Sequence, residues 1–186
     1  MLKALKITIL VVAAAVAALL AVAVARPNSF RVERSVAIKA PAERIYGHIA
    51  DFRAWPAWSP WEKRDPALKR QFDGPASGRG AAYAWEGNQD AGSGRMEITE
   101  AVPPLKIVID LRFLKPMAAR NTAEFTLQGE GGGGGKNEST GTRVTWAMHG
   151  PSPFLTKLMD LVFGIDRMVG PDFEAGLANL KTVAEK

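Results

Sequence analysis

The stretch Asp51-Phe52-Arg53-Ala54-Trp55-Pro56-Ala57-Trp58-Ser59-Pro60-Trp61-Glu62-Lys63 sets three of the chain's five tryptophans three residues apart and interrupts them with two prolines. Each indole hides about 150–250 Å² when buried, so the run must cover or fill something sizeable. Pro56 and Pro60 lack an N–H and push the residue before them away from helical angles, which excludes one face of an ordinary α-helix. The spacing predicts a folded turn or a short polyproline-like stretch in which every third side chain points the same way. Two roles are open for it: the lip of a pocket, or a core plug between a helix and a sheet.

Working outward, residues 30–40 alternate, with Phe30, Val32, Arg34, Val36 and Ile38 against Arg31, Glu33, Ser35 and Lys39. This predicts a half-buried first strand whose inner face is broken by one arginine. Pro41 is placed to start a helix, on which Ile45, His48, Ile49 and Phe52 share a face. Beyond the tryptophans the pattern turns to short strands separated by Gly and Pro, predicted near 68–73, 81–85, 94–101, 105–114, 119–128 and 142–149. The clearest sets Leu105, Ile107, Ile109, Leu111 and Phe113 against Val108, Asp110 and Arg112, a period of two. Residues 129–141 hold a run of five glycines among polar residues and predict a flexible hairpin loop. From 154 to 184 the spacing becomes helical, with stripes of Phe154, Leu158, Leu161, Val162 and Ile165, then Phe173, Leu177, Leu180 and Ala184. Gly170-Pro171 is expected to break or kink the helix, with Pro171 placed to start the next one. The order is α+β: strand, helix, aromatic turn, six strands, long C-terminal helix. A curved antiparallel sheet with one apolar face needs a cover, and the last helix is long enough to supply it.

The 186 residues fit one domain with a leader. Residues 1–6 form a short tail with Lys3 and Lys6, and residues 7–25 carry no charge. That run is just long enough to span a bilayer. It exceeds the usual ~7–15 residue core of an export signal. A single-pass anchor is therefore favoured, although Ala23-Val24-Ala25 also suits signal cleavage. Lys3 and Lys6 argue for an exported or periplasmic domain, and Arg26, Arg31 and Arg34 argue the other way. A cleaved leader would leave the domain secreted or periplasmic. The net charge is +5, and removing Lys3 and Lys6 leaves 22 basic against 19 acidic residues, scattered rather than striped. This gives no basis for nucleic-acid binding. No cysteine is present, which excludes disulfides, thiolate metal sites and a thiol nucleophile. His48 and His149 alone do not suggest a metal cluster.

The element order, with Asp51-Phe52-x-x-Trp55-x-x-Trp58-Ser59-Pro60-Trp61, resembles the START-like helix-grip superfamily (SRPBCC). The nearest branch is the bacterial polyketide cyclase/dehydrase and lipid-transport type. Phe30-Arg31-Val32-Glu33-Arg34-Ser35, Ala123-Glu124-Phe125-Thr126-Leu127, Thr142-Arg143-Val144-Thr145-Trp146-Ala147-Met148 and Asp172-Phe173-Glu174-Ala175-Gly176-Leu177-Ala178-Asn179-Leu180-Lys181 support it. The likeness covers residues 29–186. It implies a seven-stranded sheet wrapped around a long helix, a hydrophobic cavity between them, and apolar ligands such as lipids, sterols, quinones or polyketides. Only some members are enzymes.

Three functions follow. The first is binding or carriage of a hydrophobic small molecule at a membrane, with no cofactor. Its expected lining is Tyr83, Trp85, Met96, Ile109, Leu111, Phe113, Phe125, Trp146 and Met148 from the sheet. Met159, Phe163, Met168 and Phe173 come from the helices, and Trp55, Trp58 and Trp61 stand at the mouth. An apolar wall with few polar groups is the usual makeup of a ligand pocket, though such stripes also make ordinary core. The second is a cyclase or dehydratase, which needs an acid or base inside the pocket. His149 alternates outward from Trp146 and Met148, and no triad or carboxylate pair is visible, so no catalytic residue is assigned. The third is a membrane-held interaction module with an unused cavity, whose protein partner the sequence does not name.

Overall fold

The computed structural model describes residues 1–131 and 139–186. Its elements run α1 (Leu2–Ala25), β1 (Ser29–Ile38), α2 (Ala42–Ala50), two 3-10 helices (Phe52–Ala57 and Pro60–Lys63), then β2 (Lys69–Asp73), β3 (Ala82–Glu86) and β4 (Ser93–Val102). They continue with β5 (Lys106–Lys115), β6 (Ala119–Gly131), β7 (Ser139–Pro151), α3 (Phe154–Phe163) and α4 (Ile165–Ala184). The strands make one antiparallel sheet in the order β1-β7-β6-β5-β4-β3-β2. β2 to β7 is a meander, and the segment from α2 through the 3-10 helices carries the chain from one edge to the other. The architecture is the helix-grip α+β fold.

Register lines up the apolar positions on one face. Ile98 stands opposite Ile109, Ile107 opposite Phe125, and Phe125 opposite Trp146. Ile98, Ile107, Ile109 and Phe125 have no exposed surface. The period of two seen in the sequence is thus the inner face of the sheet. α4 lies over β1, burying Phe173, Leu177, Leu180 and Ala184. Arg34, the charge on the inner side of β1, reaches Asp166 (2.8 Å) and Glu174 (2.6 Å) on α4. Gly170 is buried where a Cβ would collide with that guanidinium, so its missing side chain lets helix and strand approach.

Two expectations change. The tryptophan segment is two short 3-10 helices, whose three residues per turn give the same every-third spacing as a polyproline stretch. Asp51 accepts from the Arg53 N–H (2.8 Å) to cap the first, and Pro60 opens the second. The C-terminal break falls at Gly164 (φ 73°), not at Gly170-Pro171. Glycine takes this positive φ without strain, and the Asp160 carboxylate accepts from the Ile165 N–H (2.8 Å) to restart the helix. Pro171 lies inside α4 and removes a donor without ending it. In the glycine-rich run, β6 extends to Gly131 and β7 starts at Ser139, while residues 132–138 of the expected loop lie outside the described residues.

Candidate functional site

The inner face carries a continuous chain of aromatic rings. Its centre is Trp146 on β7, stacked on Phe173 of α4 (4.2 Å between centroids) and on Phe125 of β6 (4.8 Å). Trp58 and Trp61 meet it edge-on at 5.6 and 5.4 Å, and Trp55 packs on Trp58 at 4.8 Å. Gly176 admits this packing: a Cβ there would come within 2.8 Å of the Trp146 ring. From Trp55 the chain passes through Phe52 to Tyr83 (6.0 Å), then to Trp85 (6.0 Å) and Phe113 (5.9 Å).

The structure packs Trp55 and Trp58 as core rather than as a mouth. Trp58 has no exposed surface, and its indole N–H donates to the His48 carbonyl (3.1 Å) while Trp55 donates to that of Ile49 (3.0 Å). The last turn of α2 thus satisfies both polar edges. Asn179 of α4 donates to the Trp58 carbonyl (3.0 Å), locking the segment beneath the helix. Trp61 is half-buried at the margin. Where a cavity was expected, these rings fill the middle of the grip.

The coverage thins toward the end of the sheet where β1 begins. There Trp85, Leu111 and Phe113 are half-buried, while Met96, opposite Leu111 in the register, and Met148 on β7 are buried. A cleft of about 210 Å³ opens at the same end between β1, α3 and α4, lined by Arg26, Phe30, Val32, Asp160 and Ile165 among others. Met159 is half-buried nearby, while Phe163 and Met168 are more than half exposed and stand apart from the aromatic chain. A broader groove of about 530 Å³, with Thr99, Asp110, Arg120, Thr122 and His149, lies on the other face of the sheet.

Polar groups inside the grip are few, and the sequence reading missed them. Glu62, with its side chain only 5% exposed, accepts from Tyr83 Oη (2.7 Å) and Arg70 Nε (2.7 Å). Burial first, and the adjacent Glu62 carboxylate second, hold the Tyr83 phenol well above its ordinary value. Nothing local marks Glu62, since its partners come from β2 and β3. Asn121 is buried on β6, its amide 3.9 Å from the Met148 sulfur. Its signal was present: it shares the parity of Ala123, Phe125 and Leu127. The Trp146 indole N–H and the Tyr46 hydroxyl are buried without a hydrogen-bond partner among the described residues. Among those residues no group of three or more His, Cys, Asp or Glu side chains is placed to hold a metal.

This fold and aromatic inner face can be set beside known proteins. The family model described as Polyketide cyclase / dehydrase and lipid transport matches residues 29–185. The chain belongs to that family. Among solved structures, protein CV1439 from Chromobacterium violaceum aligns with TM-score 0.55 at 17% identity, covering 87% of this chain and 99% of that one. The Aha1 dimer from Colwellia psychrerythraea gives 0.53 at 17% identity, covering 84% and 96%. The di-domain ARO/CYC BexL of the BE-7585A biosynthetic pathway gives 0.56 at 17% identity, covering 88% of this chain and 52% of that one. At such identities the likeness is one of fold. No curated protein matches in sequence. The polyketide cyclase/dehydrase and lipid-transport match begins at β1 and leaves out α1, an apolar helix long enough to cross a membrane by length and composition (Lys3–Ala25, mean hydropathy 3.0).

Proposed function

We propose that this protein binds an apolar small molecule, of the lipid, quinone, sterol or polyketide-like class, on the inner face of its sheet while α1 holds it in a membrane, with the domain on the exported side. The observation that carries the reading is the half-covered apolar surface of Trp85, Leu111 and Phe113 at the β1 end, continuous with the aromatic chain. Asn121, opposite Leu111 in the register, supplies the sparse polar group that orients a ligand in such sites. The separate cleft of about 210 Å³ between β1, α3 and α4 is lined by none of Trp85, Leu111 and Phe113 and is smaller than the roughly 300–1,000 Å³ of common ligand pockets, so it is not the proposed ligand surface. A cyclase or dehydratase has less support, because His149 lines the groove on the opposite face and Glu62 is engaged by Arg70 and Tyr83.

Titration of the full chain in lipid nanodiscs with fatty acids, ubiquinone analogues and sterols tests this through tryptophan emission. A saturable change at micromolar ligand, weakened in Phe113→Ala, is expected. Flat titrations for every class would remove the proposal.

A further inference from the structure

Large apolar side chains that stand exposed beyond α1 gather at one end of the molecule. Leu155, Val162 and Phe163 on α3, Met168 on α4, and Leu114 and Met117 at the β5–β6 turn are each nearly half exposed or more. Register puts them together: Phe113 pairs with Ala119, Thr122 with His149, and Pro151 with Ser29. The β5–β6 turn, the end of β7 and the start of β1 therefore share an edge with the exit of α1. At the opposite end only Val102 and Leu105 are comparably bare among the described residues.

The sidedness of α3 is inverted for a helix meant to face water. Its lysine points inward, where Lys157 is buried and donates to Asn28 Oδ1 (2.7 Å). Its aspartate is tied as well, since Asp160 pairs with Arg26 and caps Ile165. The outward side is left to Leu155, Val162 and Phe163. A soluble surface helix shows the reverse arrangement, and contiguous bare apolar patches mark sites of association.

Depth decides the occupant. α1 packs on α3, Ala23 in the last turn of α1 has no exposed surface, and Arg26 just beyond it holds Asp160. If α1 spans a bilayer, its last turn lies at the boundary of headgroups and acyl chains, and α3 lies beside it. We propose that α3 is an interfacial helix whose outward face of Leu155, Val162 and Phe163 sits in the lipid of the membrane that α1 crosses. This rests on the anchor reading above, and it sets the β1 end of the sheet, with its cleft, against the bilayer.

The chain has no cysteine, so a single introduced cysteine gives a unique label. Leu155→Cys, Phe163→Cys, Leu105→Cys and Leu10→Cys in the full chain are labelled with an environment-sensitive fluorophore. Each is reconstituted in phosphatidylcholine–phosphatidylglycerol vesicles with brominated acyl chains. Several-fold quenching at 10, 155 and 163, with none at 105, is expected. Quenching at 10 without quenching at 155 and 163 overturns the interfacial helix, leaves the anchor standing, and points to a protein or water on that face. Absence of quenching at all four positions removes both.

Discussion

Trp58 is sealed beneath α4 with its N–H and carbonyl both satisfied, whereas Trp61, three residues on, keeps part of its ring in solvent. Trp58→Ala empties a core site and should cost about 3–5 kcal/mol of stability, read as a lower urea midpoint. Trp61→Ala should shift the midpoint by less than half as much and change ligand affinity instead. Equal losses in both would place Trp61 in the core too. Here the sequence left lip and plug open, because local spacing says nothing about what covers a side chain. Glu62 shows the same limit: it adjoins Trp61, yet its burial depends on Arg70 and Tyr83 from strands that the chain reaches later.

Among elements, the strands were the most legible, since alternation such as Ile107, Ile109 and Leu111 needs only one buried face to show itself. The C-terminal helices were less so. Gly170-Pro171 looked like the break, but Gly170 serves the approach of Arg34 and the turn passes through Gly164. Packing against a neighbour and backbone freedom both select glycine, and sequence does not separate them. The contact of α4 with β7 offers a test. Gly176→Ala places a methyl carbon 2.8 Å from the Trp146 ring and 3.2 Å from Pro60. The ring is held on both faces, so the variant should lose about 1–3 kcal/mol by over-packing, with altered near-UV dichroism. An unchanged melting profile would mean that α4 floats more freely over the sheet than its contacts imply.

At the scale of the molecule, both tyrosines are held above their ordinary value of about 10, Tyr46 by burial and Tyr83 by burial and Glu62. Because the folded values are raised, the stabilisation is complete below the ordinary value of about 10 and is lost as pH rises from there through the folded values. Phenolate absorbance should therefore stay flat past the usual tyrosine range and then rise together with unfolding. Titration of either tyrosine at its ordinary value in the folded protein would contradict the burial described. On the acid side, Arg120 and Arg112 hold Asp110 low, and Arg34 holds Asp166 low. Their contribution is present above the ordinary aspartate value and fades as pH falls through the folded ones. What α1 and α3 do together was the least legible part, because each reads alone as an apolar helix and only the fold sets them side by side. The packed indoles carry one more consequence. Trp55, Trp58, Trp61 and Trp146 lie within 6.5 Å of a neighbouring indole, close enough for their transition dipoles to couple. The four should therefore give a coupled pair of positive and negative bands in ultraviolet dichroism, and loss of that pair would report any guest that pries them apart.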